Sequence, residues 1–397
     1  MNVLIIANKA TYPPDGGVLA ILSLAKGYIK NGHQVYLLNM VTHKHYNKSD
    51  MIEPEYQNKI TIQGIQINTR ISVFALFLNY FFSKKPYISK RFVNKIFQKR
   101  TIELVQSKSF DIIQLESLFM LQYIPFIRKY FKGQIIYRPH NLEHEIWERN
   151  AKETKSIFKK IYYHSLANRL KKLEKSLLNS YDFILPISIP DAKKYTSLGN
   201  YKPLIITPFG IDFEKIPKNG QTNQHQNIIF IGALDWIPNQ NALKWVINNC
   251  WQKIIKNGLD IKLLVAGRNA PNWLIKFLEK QNGVKFLGEI KSSTDFIQNN
   301  GPLIVPLFSG SGLRIKIIEA MALKKAIIST TTGAEGIPYT NEKDILIANT
   351  SNEFIDAVTK LVQNKNYQDE IGKNAYRLTT ENFDLKKIAK NVLDFIK

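Results

Sequence analysis

A regular alternation of short apolar runs with longer amphipathic stretches constrains the fold of these 397 residues more than any other feature. Most of the apolar runs are unbroken Ile, Leu and Val, which is typical of strands buried on both faces of a parallel sheet. The stretches between them carry helical periodicity, as at Leu22, Ala25 and Ile29. Strand–helix alternation along the whole chain predicts an α/β fold with parallel sheets.

The apolar runs predict strands at 3–8, 34–40, 60–69, 111–116, 134–140, 182–188, 204–210, 227–233, 262–268, 284–289, 303–308, 326–331 and 344–348. One sheet of that size would be unusual, so we predict two sheets of six or seven strands. The polar stretch 217–224 contributes nothing to a core and marks the break between them.

These boundaries predict two Rossmann-like domains whose parallel sheets face a central cleft. The first domain spans 1–210, a linker spans 211–226, the second domain spans 227–382, and a C-terminal helix spans 383–397. Ligands of open α/β sheets bind at the carboxyl ends of the strands. We therefore expect the binding site in the cleft between the two domains.

The net charge of +23 is concentrated in the first half, because residues 1–200 carry 30 Lys and Arg against 14 Asp and Glu. Such an excess favours an anionic partner, either nucleic acid, an acidic membrane or a phosphorylated ligand. The chain is also rich in Lys, Ile and Asn, and that compositional bias alone can make a protein basic. The net charge therefore favours an anionic partner but does not identify which one.

Composition excludes several classes of protein. The single cysteine, Cys250, excludes a disulfide framework and a cysteine-based metal site. We expect no secretory leader, because the first apolar run, 3–7, is too short to form one. Its longest near-apolar run, 71–82, is shorter than the roughly 18 residues that a membrane-spanning helix needs. We therefore expect a cytoplasmic protein.

Two glycines, Gly16 and Gly17, follow the first predicted strand and open the next helix. Glycine permits close approach of the backbone to a ligand, and the free N–H groups of a helix start attract an anion. The preceding Pro-Pro-Asp sequence also suits an ordinary turn. The chain has neither the dinucleotide-binding glycine fingerprint nor the phosphate-binding loop motif.

A polar cluster follows the strand predicted at 134–140. It places His140 and Glu143 at the carboxyl end of a strand, where the cleft is expected. We interpret His140 as an active-site residue, and Glu143 suits a functional and a structural role equally. The neighbouring His144 is interpreted as part of a solvated helix.

The most informative segment, 308–322, contains the end of a strand, a Gly-Ser-Gly loop and the start of a helix. The loop consists of Gly310, Ser311 and Gly312. Its backbone amides, together with the dipole of the helix that follows, are suited to hold a diphosphate.

Charged residues occur in the helix that follows this loop. Arg314 and Lys316 put two cations into its first turn, which costs stability unless an anion offsets them. Glu319 lies among apolar neighbours, and a carboxylate in such a place needs partners. The paired hydroxyls of a ribose could donate hydrogen bonds to the Glu319 carboxylate, and the alternative is a salt bridge to Lys316. We favour the interpretation that Glu319 binds a ribose.

A small-residue loop at 330–336 follows the next predicted strand and contains one carboxylate, Glu335. It would lie beside the Gly-Ser-Gly loop at the edge of the sheet. We assign Glu335 to the same ligand site, although an ordinary loop has a similar composition.

Taken together, these segments resemble the GT-B glycosyltransferases, specifically family 4 of the retaining enzymes (glycosyl transferases group 1) of the polysaccharide-assembly type. The resemblance covers nearly the whole chain, and residues 310–322 carry its specific part. It implies two Rossmann-like domains, a nucleotide diphosphate-sugar bound mainly by the C-terminal domain, and neither a metal ion nor a separate cofactor. It also implies that the helix at 383–397 crosses back to the N-terminal domain.

The resemblance implies a role for the candidate residues. Gly16 and Gly17 would line the diphosphate and acceptor side, and His140 would contact the donor sugar near the reacting centre. Glu319 matches the second glutamate of the Glu-x7-Glu motif of the family, which binds the ribose.

Two departures from the family pattern stand out. The first glutamate of that motif is replaced by Ser311, so one carboxylate contact with the donor sugar is absent. The Arg and Lys that follow the first strand of the C-terminal domain are missing from 232–239. Arg314, Lys316 and Arg268 would supply the lost positive charge.

We therefore expect a metal-independent, retaining glycosyltransferase. It would move a sugar from a nucleotide diphosphate-sugar to a glycan or lipid-linked acceptor in cell-surface polysaccharide synthesis, with no nucleic acid as partner. Two alternatives remain open: a nucleotide-sugar epimerase on the same fold, and a non-catalytic protein that binds sugar nucleotides.

The segment 71–82 contains four phenylalanines and is followed by seven Lys and Arg before the next acid, Glu103. An apolar anchor beside a basic helix is typical of segments that lie in a membrane interface. It predicts docking of the first domain on the anionic inner face of a membrane. A core-packed loop with a solvated basic face is the alternative.

Overall fold

A computed structural model of the chain describes residues 1–48, 52–217, 227–310 and 312–397. The chain divides into two compact units: the first contains 1–210 and 385–397, and the second contains 211–384. Residues 218–226 of the predicted linker lie outside the described residues.

The first unit is built on one parallel sheet. Its strands are β1 (Asn2–Ala7), β2 (Gln34–Val41), β3 (Ile60–Gln66), β4 (Ile112–Glu116), β5 (Gln134–Arg138) and β6 (Phe183–Ile184). Their spatial order is β3-β2-β1-β4-β5-β6, and every neighbouring pair is parallel.

Helices connect these strands. They are α1 (Gly16–Lys30), α2 (Pro54–Gln57), α3 (Val73–Phe82), α4 (Tyr87–Lys90), α5 (Lys95–Ser107), α6 (Ile124–Ile127), α7 (Glu143–Glu153), α8 (Ile157–Leu177) and α9 (Ile189–Leu198), with a 3₁₀ turn at Leu118–Tyr123. The last helix of the chain, α17 (Leu385–Phe395), also belongs to this unit.

Alternate residues of β1 enter two different cores. Leu4 and Ile6 belong to one apolar cluster, whereas Val3 and Ile5 belong to another. Because successive side chains of a strand point to opposite faces, the sheet is covered on both faces. This is the arrangement that the unbroken apolar runs predict.

Helix α17 packs closely against α1. A Cβ atom at Gly27 would lie 2.5 Å from the Leu385 carbonyl oxygen and 2.7 Å from the Cβ of Ala389. Only glycine leaves room for such an approach. Ile388 and Val392 of α17 join the same core as Val18 of α1, so the end of the chain is part of the first unit's core.

The second unit contains a second parallel sheet. Its strands are β7 (Ile228–Ile231), β8 (Leu263–Ala266), β9 (Val284–Gly288), β10 (Leu303–Val305), β11 (Ile327–Ser329) and β12 (Leu346–Ile347). Their spatial order is β12-β11-β10-β7-β8-β9. The helices are α10 (Ile237–Val246), α11 (Gln252–Lys256), α12 (Asn272–Glu279), α13 (Ser293–Gln298), α14 (Ile315–Ala322), α15 (Ser351–Gln363) and α16 (Lys365–Asn382), with a π turn at Ile247–Trp251 and a 3₁₀ turn at Phe213–Lys215.

The predicted fold class, α/β with two parallel sheets, is confirmed, but the strand predicted at 204–210 is wrong. The N–H of Ile205 donates to the carbonyl of Ile184 and that of Thr207 donates to the carbonyl of Pro186. Pro186 has no N–H to return a hydrogen bond, so the ladder cannot continue. The segment therefore forms a single bridge and no strand.

Candidate active site

A glycine loop connects β10 to α14 in the second unit. Gly310 and Gly312 have φ angles of 113° and 83°, which residues with a Cβ rarely adopt. A Cβ at Gly310 would lie 2.7 Å from Nη2 of Arg314 and 2.9 Å from the ring of Trp236. This crowding explains why the position is a glycine. Ser311, between the two glycines, lies outside the described residues.

Arg314 is buried at the N-cap position of α14. Its Nη1 donates to the carbonyl of Gly312 at 2.8 Å, and its guanidinium lies 5.5 Å from the ring centre of Trp236. Arg314 therefore holds the shape of the loop. It also places a positive charge at the amino end of α14, where the helix dipole favours an anion as well.

Lys316 extends from α14 to the carboxyl end of β7. Its Nζ donates to the carbonyl of Ile231 at 2.9 Å and to Oδ1 of Asn239 at 3.4 Å. Burial, assisted by the nearby Arg314 guanidinium, lowers the pKa of Lys316 to about 7. The ammonium thus lies beside the 232–239 loop, which lacks the cations that the family pattern places there.

Glu319 lies in the middle of α14, and burial raises the pKa of its carboxyl to about 7. A salt bridge to Lys316 is not formed, because the lysine ammonium is engaged at β7. Within the described parts of the chain, the Glu319 carboxyl has no hydrogen-bond or ion-pair partner. Withdrawing such a group from water without a partner costs free energy, which a bound hydroxyl would offset.

Arg268 and Glu335 are close to the same edge of this sheet. Arg268 follows β8 and Glu335 follows β11, and the strands β7 and β10 lie between them. Because the strands are parallel, their carboxyl ends meet at one edge. A Cβ at Gly333 would lie 2.4 Å from the carbonyl of Val305, so glycine keeps the Glu335 loop against the end of β10.

In the first unit, the amino end of α1 already carries a negative charge. Asp15 accepts a hydrogen bond at 2.9 Å from a backbone N–H in the first turn and another at 2.7 Å from Nζ of Lys9. Burial opposes ionisation, but His45 and Lys9 lower the pKa of Asp15 below its usual range. A Cβ at Gly17 would lie 3.3 Å from both Asp15 and Lys9. Diphosphate contact at Gly16 and Gly17 stays a prediction.

His140 follows β5 and forms a buried contact with the end of β4. Its Nε2 lies 2.6 Å from Oε2 of Glu116, which is fully buried. Burial raises the pKa of Glu116, but the Arg138 guanidinium, with the nearest nitrogen at 3.6 Å, and the His140 hydrogen bond lower it below its ordinary value. The ionised carboxylate can only accept, so Nε2 of His140 carries a proton, and Nδ1 has no hydrogen-bond partner among the described residues.

Sequence reasoning missed Glu116. It is the last residue of β4, directly opposite Arg138, the last residue of β5. Gln114 also donates to it, and Tyr28 of α1 donates to Gln114 at 2.7 Å. The sequence did contain a signal for Glu116, because it is a charged residue at the carboxyl end of an apolar strand. His140 was identified in the same way, as a polar residue just after the neighbouring strand.

Glu143 begins α7, three residues after His140. Burial and the carboxylate of Glu174 raise the pKa of Glu143 to about 7, although Lys9 opposes the shift. The interpretation of His144 as part of a solvated helix is wrong. His144 is buried, and its Nδ1 forms a hydrogen bond with Glu174, because α8 packs along α7 and covers this face.

Comparisons with known proteins agree with this architecture. Residues 225–364 match the family described as glycosyl transferases group 1. A Klebsiella pneumoniae protein, described as an uncharacterized 44.6 kDa protein in the cps region, is 26% identical over 404 residues and is matched over 98% of each chain.

Two solved structures share the fold at low sequence identity. HepE from Anabaena, in complex with UDP, superposes with a TM-score of 0.70 at 13% identity, over 99% of each chain. Sucrose-phosphate synthase from Thermosynechococcus elongatus gives a TM-score of 0.68 at 14% identity, over 99% of this chain and 98% of the other.

The two parallel six-stranded sheets and these full-length superpositions define a GT-B fold. The match to the group 1 glycosyltransferases lies within the second unit.

Proposed function

We propose that the chain transfers a sugar from a nucleotide diphosphate-sugar to a glycan or lipid-linked acceptor, with retention of anomeric configuration and without a metal ion. One observation carries the proposal. Glu319, a partly buried carboxyl without a partner among the described residues, lies one turn beyond two cations at the glycine loop. This arrangement suits a ligand that presents both hydroxyls and phosphates.

The second unit binds the donor in this proposal. Glu319 accepts hydrogen bonds from the ribose, and Arg314, Lys316 and the amides of the glycine loop hold the diphosphate. Arg268 and Glu335 contact the rest of the donor, together with Ser311. Lys316 replaces the missing family cations, since its ammonium lies beside the carbonyl of Ile231.

UDP is the proposed nucleotide of the donor. Structures of Anabaena HepE contain UDP, and one contains UDP-glucose. The fold that the two proteins share supports the same nucleotide class here. The Klebsiella relative in the cps region supports a role in cell-surface polysaccharide assembly. A lipid-linked acceptor of that kind would place the reaction in the cytoplasm, at the inner face of a membrane.

The transfer step breaks the bond between the anomeric carbon and the diphosphate oxygen. The acceptor oxygen bonds to that carbon from the same face, and its proton passes to the leaving phosphate. Charge grows on the phosphate, so fixed donors such as Arg314 and Lys316 lower the barrier. His140, oriented by Glu116, contacts the sugar and stabilises the reacting centre, and Glu143 is the other candidate in this unit for proton transfer.

The first experiment is thermal-shift screening against UDP, GDP and ADP, followed by assay of sugar release from the matching nucleotide-sugars. We expect the melting temperature to rise with UDP, because a ligand that binds only the folded state stabilises it. Absence of a shift with every nucleotide, or a shift without turnover of any sugar donor, would leave the chain without the proposed activity.

A further inference from the structure

Helix α3 in the first unit exposes its apolar face and buries a polar residue. Phe74 is 73% exposed and Phe82 is 82% exposed, whereas Asn79 is only 7% exposed. The exposed apolar side chains repeat at helical spacing and form one stripe, which consists of Val73, Phe74, Phe77, Leu78, Phe81 and Phe82. Monomeric proteins rarely leave such a patch in water without using it.

Polar contacts with α8 hold α3 in this orientation. The guanidinium of Arg169 donates to the carbonyl of Asn79 at 3.1 Å and to that of Tyr80 at 2.6 Å. Tyr80 also packs against Tyr162 of α8, with ring centres 6.1 Å apart. Because the backbone of α3 is anchored on its inner side, its phenylalanines remain directed outward.

The beginning of α8 adds to the apolar surface. Ile157, Phe158 and Ile161 are all more than half exposed, and Phe158 is 82% exposed. Phe158 lies four residues before Tyr162 and so on the face of α8 that meets α3. We call the exposed stripe of α3 together with these three residues the apolar ridge.

Exposed lysines follow α3 in the sequence and surround the start of α8. They are Lys84, Lys85, Lys90, Lys95, Lys99, Lys155, Lys159 and Lys160. No acid occurs between Glu55 and Glu103, and none between Glu153 and Glu174. The ridge therefore lies on two stretches of sequence that contain Lys and Arg but no Asp or Glu.

We propose that the apolar ridge docks the first unit onto an anionic lipid bilayer, with its phenylalanines in the interface and its lysines on the headgroups. Apolar burial and attraction to anionic lipid act together in such segments. A second copy of the chain is a poorer occupant, because symmetric pairing through the ridge would bring the same lysines face to face. In the described ranges no helix has the length and apolar character to cross a bilayer.

Vesicle flotation tests the proposal with the full chain. The vesicles contain phosphatidylcholine alone or phosphatidylcholine mixed with phosphatidylglycerol, at low and high salt. We expect flotation only with the anionic vesicles and a loss of flotation at high salt. Equal flotation with both vesicle types, or with neither, overturns the proposal.

Two variants with matched controls locate the docking surface. The triple variant Phe74→Ser, Phe77→Ser, Phe81→Ser should lose flotation at least tenfold, whereas Ile189→Ser with Tyr201→Ser, which changes exposed apolar residues elsewhere in the first unit, should not. The variant Lys84→Glu, Lys85→Glu, Lys90→Glu should lose it as well, whereas Lys280→Glu, Lys291→Glu, Lys365→Glu should keep most of it. The charge variant serves as the test if the phenylalanine variant does not fold.

Two further readouts separate this proposal from its rivals. Light scattering that shows a concentration-dependent dimer, abolished by the phenylalanine variant, would assign the ridge to a second copy and overturn the membrane proposal. UDP affinity should be the same in the ridge variants and the unmodified chain, since the ridge and the donor site are in different units. Failure of UDP binding with intact flotation would contradict the proposed function and leave the docking surface in place.

Discussion

The Nε2 atom of His140 lies 2.6 Å from Oε2 of Glu116, and this contact joins the carboxyl ends of two adjacent strands, β4 and β5. Glu116 is fully buried and is held ionised by Arg138. A fixed carboxylate of this kind holds an imidazole in one orientation. His140 is therefore preorganised before any ligand binds.

Replacement of His140 by alanine should lower turnover at least a hundredfold and change UDP affinity little. The reason is that His140 acts on the reacting sugar and not on the nucleotide, so its loss affects mainly the transition state. Steady-state kinetics of sugar transfer or hydrolysis, together with calorimetry of UDP binding, measure the two effects. A parallel fall in UDP affinity and turnover would contradict this role for His140.

The variant Glu116→Gln provides a second measurement on the same contact. It keeps the size of the side chain but removes the carboxylate that orients the imidazole, so turnover should fall at least tenfold while UDP affinity stays the same. A purely structural role would lower the melting temperature without lowering the turnover of the folded protein.

Glu319→Ala should weaken UDP binding by roughly 1.5–3 kcal/mol, the value of a charge-assisted hydrogen bond. This loss corresponds to about one to two orders of magnitude in dissociation constant. Uridine should lose a similar factor, because the contact is with the ribose, whereas Arg314→Ala should weaken UDP more than uridine. Calorimetry with both ligands checks this, and Glu279→Ala, at an exposed site in the same unit, is the control. Unchanged affinity in both site variants would place the donor elsewhere.

Glu319 should also make stability depend on pH. Burial raises its pKa from 4.5 to about 7 in the folded chain, so between these values the folded state keeps a proton that the unfolded state loses. Stability therefore falls as pH rises through this window and stays lower above it. Glu319→Gln removes this effect. The gain in its free energy of unfolding over the unmodified chain should therefore reach about 2–3 kcal/mol near pH 8 and be much smaller near pH 5.

Denaturant unfolding at the two pH values measures this difference, with Glu279→Gln as the matched control. A gain of the same size at both pH values would show that Glu319 is not the titrating group. A residue that costs stability in the free protein and contributes affinity in the complex is typical of a binding site.

Gly310→Ala should weaken UDP binding about tenfold or more. Its new Cβ would collide with Trp236 and Arg314, which hold the loop against α14. Gly258→Ala is the control, because Gly258 also has a positive φ of 81° but a Cβ there would have no heavy atom within 4 Å. Both variants should lose stability through backbone strain, and calorimetry should find weaker UDP binding only in the first. Equal affinity in the two variants would contradict a role for the loop in donor binding.

Much of the fold follows from local sequence. The apolar runs at 3–8 and 303–308 predicted buried parallel strands, and consecutive residues of the strands found there, such as Leu4 and Ile5 or Leu303 and Ile304, are fully buried. The run at 204–210 was wrongly predicted as a strand. Its hydrogen bonding depends on Pro186, which lies on a neighbouring segment and has no N–H to donate. Hydrogen-bond partners of this kind are not visible in a local pattern.

The candidate site was predictable in its residue types but not in its contacts. Glu319 and His140 stand out locally, one as an acid in an apolar helix and the other as a histidine after a strand. The contact of Lys316 with Ile231 spans 85 residues, and that of His140 with Glu116 spans 24. Such pairs depend on strand order, which the sequence alone left open. The burial of His144 likewise depends on how α8 packs on α7.

The stereochemistry of donor cleavage tests the central claim most directly. The full chain is incubated with α-linked UDP-glucose, or with the UDP-sugar that binds best, and the first sugar product is followed by NMR before its anomers equilibrate, with and without EDTA. The account predicts the α product, at the same rate in both conditions, because fixed donors at Arg314 and Lys316 take the place of a metal at the diphosphate. A β product, or activity abolished by EDTA and restored by magnesium or manganese, would contradict it.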